Sequence, residues 1–305
     1  MGTGGNETSR IGFRGTEDLG GSVSASFWLE GGVNADTGTG QSTNTNNLST
    51  GGSGSGGLAF NRRSTASLSG NLGEIRLGRD YTPAYSNLGA FDAFGVVGAG
   101  INMAYQGLLN TATPNSKEAT VVRVSNSIAY ILPSTLGGLY GTVQTYRGEN
   151  SGTKDGNGSA IRLGYDDGAI NAAMATGTTK YAAGDLRMTN AGASWKFDMV
   201  KVMGEISRDR IGQIKGKAYQ VGAQVTVGAG EIRLAHSRYS TDQINNPTTK
   251  KYAVGYVYNL SKRTALYTTA AHAQNSGGLS YAINGATTAA NGSSNGYDFG
   301  IRHRF

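Results

Sequence analysis

Residues 217–227 read KAYQVGAQVTV. In an extended chain successive side chains point to opposite sides, so Tyr219, Val221, Ala223, Val225 and Val227 share one face. Ala218, Gln220, Gly222, Gln224 and Thr226 share the other. A helix would scatter both sets around its axis. The same two-residue period returns in KYAVGYVYNL (251–260), where Tyr252, Val254, Tyr256 and Tyr258 oppose Lys251, Ala253, Gly255 and Asn259. Residues 200–208 set Val200, Val202 and Ile206 against Lys201, Glu205 and Ser207. At the end of the chain, Tyr297, Phe299, Ile301, His303 and Phe305 oppose Asp298, Gly300, Arg302 and Arg304.

Working outward from these segments, the pattern predicts about fifteen strands, near 9–16, 21–33, 62–70, 71–79, 120–132, 139–148, 158–165, 169–176, 187–197, 199–208, 215–227, 231–240, 250–259, 263–273 and 296–305. Their connections alternate in length. Short turns near 18–21, 70–71, 133–138, 166–168, 198, 228–230 and 260–262 separate longer segments at 34–60, 80–119, 149–158, 177–185, 209–214, 241–248 and 274–295. An up-and-down antiparallel β-barrel in an outer membrane produces this rhythm, with tight turns on one rim and longer loops on the other. A sandwich with Greek-key crossovers would not keep it along the whole chain. Tyr130, Tyr165, Tyr252, Tyr258, Tyr297 and Phe305 stand near strand ends, where rings form girdles at headgroup level. A soluble sheet with one face on a core is the alternative, but no helix-forming run is present to cover that face.

The composition agrees with all-β architecture. The 305 residues include 49 Gly, 16 Tyr, 4 Pro and no Cys. Mean hydropathy is negative, and no run approaches the roughly 20 apolar residues of a spanning helix. Barrel strands turn only alternate residues to lipid, so an integral barrel can be hydrophilic on average. The net charge of +7 comes from dispersed Lys and Arg with no basic run or arm, which argues against a nucleic-acid partner and suits the wall of a pore. His236, His272 and His303 lie on separate predicted strands. With no thiol and no metal-ligand spacing, the residues point to no catalytic site, metal or cofactor. The start, MGTGGNETSR, lacks the basic and apolar regions of an export signal. An odd strand count makes the first and last strands run the same way. The reading therefore expects one further strand, with the signal, upstream of Met1.

Several segments resemble the general porins of Gram-negative β-proteobacteria: SRIGFRGTEDLGG (9–21), LGRDYTPAYSNLGAFDAFG (77–95), RVSNSIAYILP (123–133), LSKRTALY (260–267) and DFGIRHRF (298–305). Their order covers essentially the whole chain. The resemblance implies one transmembrane barrel domain over 1–305, sixteen-stranded when complete, assembled as a homotrimer in the outer membrane among its lipids and lipopolysaccharide. It implies a water-filled diffusion channel that prefers small anions among hydrophilic solutes. It also implies that the third loop, about 80–119, folds into the lumen. That loop carries Leu88, Phe91, Phe94, Val96, Val97, Ile101 and Met103, which would be a sticky patch if exposed and are buried if packed on the inner wall.

The resemblance further places basic constriction residues at Arg10, Arg79 and Arg123, with opposing carboxylates at Glu30 and Asp92 and an assembly signal at Phe305. Strand phase agrees for Arg10, Arg123 and Glu30, which alternate with lipid-phase Ile11, Val124 and Leu29. Strict alternation puts Arg79 with Ile75 and Leu77, so an inward Arg79 requires a kink at Gly78. Arg162, Lys201, Arg233 and Arg302 share the lumen phase and would extend a track for anions. A solute-specific binding channel and a non-channel barrel remain open alternatives.

Overall fold

A computed structural model describes residues 2–48, 52–53, 57–110, 121–182 and 184–305. Residues 111–119 of the expected constriction loop, and 49–51, 54–56 and 183 of two other long connections, lie outside the described residues. The strands are β1 (Arg10–Gly20), β2 (Val23–Gly32), β3 (Arg63–Gly70), β4 (Gly73–Tyr81), β5 (Arg123–Ile131), β6 (Leu139–Tyr146), β7 (Gly158–Asp166), β8 (Ile170–Thr179), β9 (Leu186–Phe197), β10 (Val200–Ile211), β11 (Ile214–Val227), β12 (Gly230–Thr241), β13 (Thr248–Asn259), β14 (Thr264–Ser276) and β15 (Ser293–His303). They form one 15-stranded sheet in chain order, each pairing antiparallel with its sequence neighbour. This is the up-and-down order that the alternation of turns and loops predicts.

β1 and β15 are the edges of the sheet. The sheet curls until these edges approach. Glu7, just before β1, forms ion pairs with Arg10 at the start of β1 and with Arg304 beyond the end of β15. The long third connection lies within the curl. Its helices, α1 (Pro83–Ala90) and α2 (Met103–Asn110), rest on the inner faces of β7–β9 and β11–β13 respectively. Helix α1 starts where Thr82 accepts the Tyr85 amide and Pro83 occupies the first turn, which removes an otherwise unsatisfied donor.

The usual inside-out rule for soluble proteins is reversed on the outer face. Phe13, Leu77, Ile128, Leu163, Met174, Val221 and Val254 are all exposed. Their inward neighbours Ser127, Asn190, Gln220 and Ser237 are buried. Such a surface is stable where the surrounding solvent is hydrocarbon. The buried apolar side chains gather around the inward loop, with Leu88 and Phe91 at 0% exposure, Met103 at 1% and Phe94 at 4%.

One connection differs from the sequence reading. Residues 209–214 are expected as one of the longer segments, but β10 continues to Ile211 and β11 starts at Ile214. Pairing reaches Ile211↔Ile214, and Gly212 takes a positive φ of 57°, which lets the chain reverse within two residues. Here the wall itself, rather than a loop, reaches the rim.

Candidate functional site

Inside the curl lies a space of about 1360 Å³. Arg10, Arg62, Arg123, Lys201, Arg233, Arg302 and Arg304 line it, against three acids, Glu7, Asp92 and Asp298. Strand phase carries most of these bases inward: Ile11 and Phe13 are exposed on the outer face, and Arg10 alternates with them.

Arg62, Arg123 and Tyr81 form a compact group. The Arg123 guanidinium lies 4.3 Å from the Tyr81 ring centroid and donates to the Tyr81 hydroxyl at 2.7 Å. Arg62 donates to the same hydroxyl at 3.1 Å. The tyrosine therefore holds two cations side by side without neutralising either. Arg62 is not distinguished by the sequence pattern. It sits at the junction between a long connection and β3, where alternation has not yet begun.

The carboxylates do not stand opposite the arginines as the resemblance implies. Glu30 lies on the arginine wall itself. Its Oε1 accepts from Arg62 at 2.6 Å, and its Oε2 is 3.5 Å from Arg10. The cause is register, since Glu30 pairs with Gly12 on the adjacent strand, two positions from Arg10 on the same inward face. Asp92 borders the space but is only 4% exposed. It accepts from the amides of Phe94 at 2.9 Å and Val96 at 3.0 Å, and from the Asn102 side chain at 2.9 Å. Burial pushes its carboxyl up from the ordinary value, against the pull of those donors. It closes the loop on itself rather than projecting a free charge.

Arg79 turns inward through a break at Gly78. The β4–β5 register shifts between Gly78 and Asp80, and Gly78 has φ 113°. A Cβ there would meet Ser64 O at 2.1 Å, so only glycine fits. Arg79 then bonds Asn61 O at 2.6 Å, Asn44 O at 2.7 Å and Ser125 Oγ at 2.8 Å. It ties the connection between β2 and β3 to the wall and does not border the central space. Arg162 is likewise inward and engaged. Its Nε donates to Asn87 of α1 at 2.9 Å, and its plane lies 4.8 Å from the Tyr140 ring centroid.

The other positions divide clearly. Lys201 borders the space and makes no ion pair among the described residues. Arg233 pairs with Glu231 at 2.6 Å. Arg302 reaches Asn6 Oδ1 at 3.1 Å and Glu7 at 4.0 Å. Phe305 lies beyond β15, fully exposed, edge-on to His303 at 4.8 Å. Glu7 is the acid that sequence reading passes over, because it lies in a segment without periodicity. Burial raises its pKa, but the hydrogen bond from Arg304 and the charges of Arg10 and Arg304 outweigh that, and the net shift is downward.

The inward loop is anchored by polar side chains. Asn87 donates to Asn190 Oδ1 at 2.8 Å, and Asn190 donates to Ala84 O at 3.0 Å. Ser237 accepts the Met103 amide at 3.1 Å. Lys251, 1% exposed, donates to Ile101 O at 2.8 Å. Buried polar groups need partners, and here Asn190, Ser237 and Lys251 satisfy backbone that the loop would otherwise strand, while Asn87 bonds back to the wall.

A wall that is apolar outside and polar inside, narrowed by a loop folded into a cation-lined space, defines an outer-membrane β-barrel channel. The chain belongs to the Gram-negative porins, whose family model matches residues 1–278. It is 35% identical to outer membrane porin protein 32 of Delftia acidovorans, over 100% of this chain and 87% of that protein. It is 27% identical to an outer membrane porin protein of Bordetella pertussis, over 97% of this chain and 82% of that one. Among solved structures, the anion-selective porin from Comamonas acidovorans superposes with a TM-score of 0.86 at 33% identity, covering 100% of this chain and 91% of that one. OmpT of Vibrio cholerae in its trimer form shares the fold at a TM-score of 0.68 and 11% identity, covering 97% and 91%. The protein is a channel of the Gram-negative outer membrane, not an enzyme.

Proposed function

We propose that this porin passes small hydrophilic solutes with a preference for anions. The observation that carries the reading is the imbalance of charge around the central space. All three acids bordering it are engaged: Glu7 by arginines, Asp92 by amides, and Asp298 by the amide of Ala99 and the Asn284 side chain. Arg123 and Lys201 have no acid partner among the described residues. Two unit charges 4 Å apart interact by about 1 kcal/mol in water and about 4 kcal/mol at an effective dielectric near 20. A few such cations in a narrow passage bias entry without trapping the ion. The likeness to the anion-selective porin from Comamonas acidovorans supports the same reading.

Arg10, Arg62 and Arg123 form the basic constriction in this proposal, Lys201, Arg233 and Arg302 its approach, and Arg79 and Arg162 hold the surrounding chain in place. Membership of the porin family supports a single barrel domain assembled as a homotrimer, with Phe305 serving assembly and outer-membrane lipids and lipopolysaccharide surrounding the wall. The test is a planar-bilayer recording in a salt gradient. The zero-current potential should have the sign of anion preference, and Arg123→Glu with Arg10→Glu should move it toward cations by about tenfold in permeability ratio, equivalent to ~1.4 kcal/mol. A wild-type potential of cation sign, or one indifferent to both changes, overturns the reading.

A further inference from the structure

A row of aromatic rings borders the central space beside the arginines, and the passage of simple ions has no use for it. Tyr81 closes β4, Tyr85 lies in α1 and Tyr105 in α2. The Tyr81 ring is stacked on that of Tyr85, with centroids 5.1 Å apart and an angle of 30° between the planes. Tyr85 in turn meets Tyr105 edge to face, at 5.7 Å and 66°. Arg123, 4.3 Å from the Tyr81 centroid, heads the row. All three rings line the central space, together with Val122. The hydroxyls of Tyr85 and Tyr105 make no hydrogen bond among the described residues. Two strands of sequence far apart, 81–85 and 105, therefore converge on one aromatic panel that opens to the passage.

The charge at the head of this row is that of a single cation. Glu30 offsets Arg62 at 2.6 Å, and Glu7 pairs with Arg10. Arg123 has no acid partner among the described residues. It donates one hydrogen bond, to the Tyr81 hydroxyl, and its Nε is buried without a partner. A guanidinium carries five N–H donors, so Arg123 keeps most of them for an anion. We propose that this corner of the passage is a subsite for aromatic monocarboxylates, an inference that rests on the anion preference proposed above and names a solute class for it. The carboxylate accepts from Arg123 by charge-assisted hydrogen bonds, and the flat ring of the solute lies against Tyr85 and Tyr105. Aromatic pairs favour offset or edge-to-face contact with centroids about 4.5–7 Å apart, the arrangement the row already shows within itself. A halide would use the arginine and leave the rings idle. A dianion would need a second uncompensated cation beside Arg123, and Glu30 and Glu7 remove it.

The test records chloride current through the full chain in uncharged bilayers, with benzoate, cyclohexanecarboxylate or phthalate added on one side. Benzoate should block saturably, with a half-blocking concentration about tenfold below that of cyclohexanecarboxylate, which has the same charge and similar size but no π face. Phthalate, with its second carboxylate, should block no more tightly than benzoate. In the double variant Tyr85→Leu, Tyr105→Leu the advantage of benzoate should shrink to about twofold or less, whereas Tyr85→Phe with Tyr105→Phe should keep it. Tyr105→Leu alone should give an intermediate ratio, and it carries the test where the double variant does not fold. Arg123→Gln should weaken both monoacids together and leave their ratio standing. Each result is a ratio within one variant, so a general change in pore width cancels. Equal block by the two monoacids in wild type, tighter block by phthalate, or a benzoate advantage that survives the leucine changes would each overturn the subsite. A wild-type zero-current potential of cation sign would instead strike at the anion preference itself.

Discussion

On the wall formed by β1–β5, inward side chains end in Arg10, Glu30 and Arg123, with Arg62 just before β3, and the three arginines border the central space. On the wall formed by β8–β13, they end in Asn190, Glu205, Gln220, Ser237 and Lys251, and the inward loop covers them. Both walls have the same alternation and an apolar band on the outer face, which gives way on β10–β13 to outward Arg and Lys toward the rim of the long connections. They differ in what lies against the inner face. The first wall keeps like charges close because Glu30 pairs with Arg10 and Arg62, and the Tyr81 hydroxyl accepts from Arg62 and Arg123. Where the loop rests, the second substitutes amides, hydroxyls and glycines that seat it, with Lys251 bonded to the loop at Ile101 O, and leaves Lys201 and Arg233 to the central space. Glu205 stands apart, 4% exposed, with neither carboxylate oxygen hydrogen-bonded. The pore is thus asymmetric: the first side carries the arginine group, and the second carries the obstruction, with Lys201 and Arg233 beside it.

The largest effect should come from disturbing the covered wall. A Cβ on Gly192 would meet the Phe91 ring at 2.3 Å. Gly192→Leu should therefore lift the loop, at a cost of about 1–3 kcal/mol from overpacking. Single-channel conductance should rise while anion preference falls, because the same arginines then face a wider passage. Unchanged conductance would mean that the loop does not set the constriction. A smaller effect should follow Asp92→Ala, which removes the acceptor for the Phe94 and Val96 amides. Stranded donors cost about 1–3 kcal/mol, so the loop should fluctuate. The expected reading is noisier open-channel current at nearly unchanged mean conductance, and quiet current would argue against it.

The smallest effect belongs to the charged wall. Glu7→Gln removes the acid that partly neutralises Arg10, Arg302 and Arg304. Anion preference should increase modestly at low salt and converge with wild type in about 1 M salt, where screening acts over about 3 Å. Because the Glu7 pKa is lowered, wild type keeps this charge through mildly acidic pH. The two proteins should differ above that lowered value and become alike as pH falls through it. A difference that persists in strong acid would remove Glu7 from the account. Together these changes separate an obstruction built by packing from a field built by charge.

Strand phase was legible for Arg10, Arg123, Lys201, Arg233 and Arg302, because alternation is a local property of the chain. For Arg79 the alternation pointed the wrong way, and the broken register at Gly78 corrected it. Glu30 was read correctly as inward but wrongly as opposing. Alternation says which face a side chain takes and nothing about which sector of the barrel it occupies. Arg62 opens the 62–70 segment and precedes the observed strand by one residue, so alternation does not fix its direction, and Glu7 lies ahead of the first predicted strand, where the two-residue rule has no purchase.

By itself, the sequence determined the strands, their order, the two solvents they separate, and the apolar loop that had to be buried. Each of these follows from side-chain chemistry repeated at short range. Only the tertiary structure decided which charges meet: Glu30 with Arg62, Asp92 with its own loop, Glu7 with both ends of the chain. Those contacts join residues through the curvature of the sheet and the path of its connections. Energies between charges depend on distances of a few ångströms that no periodicity along the chain encodes.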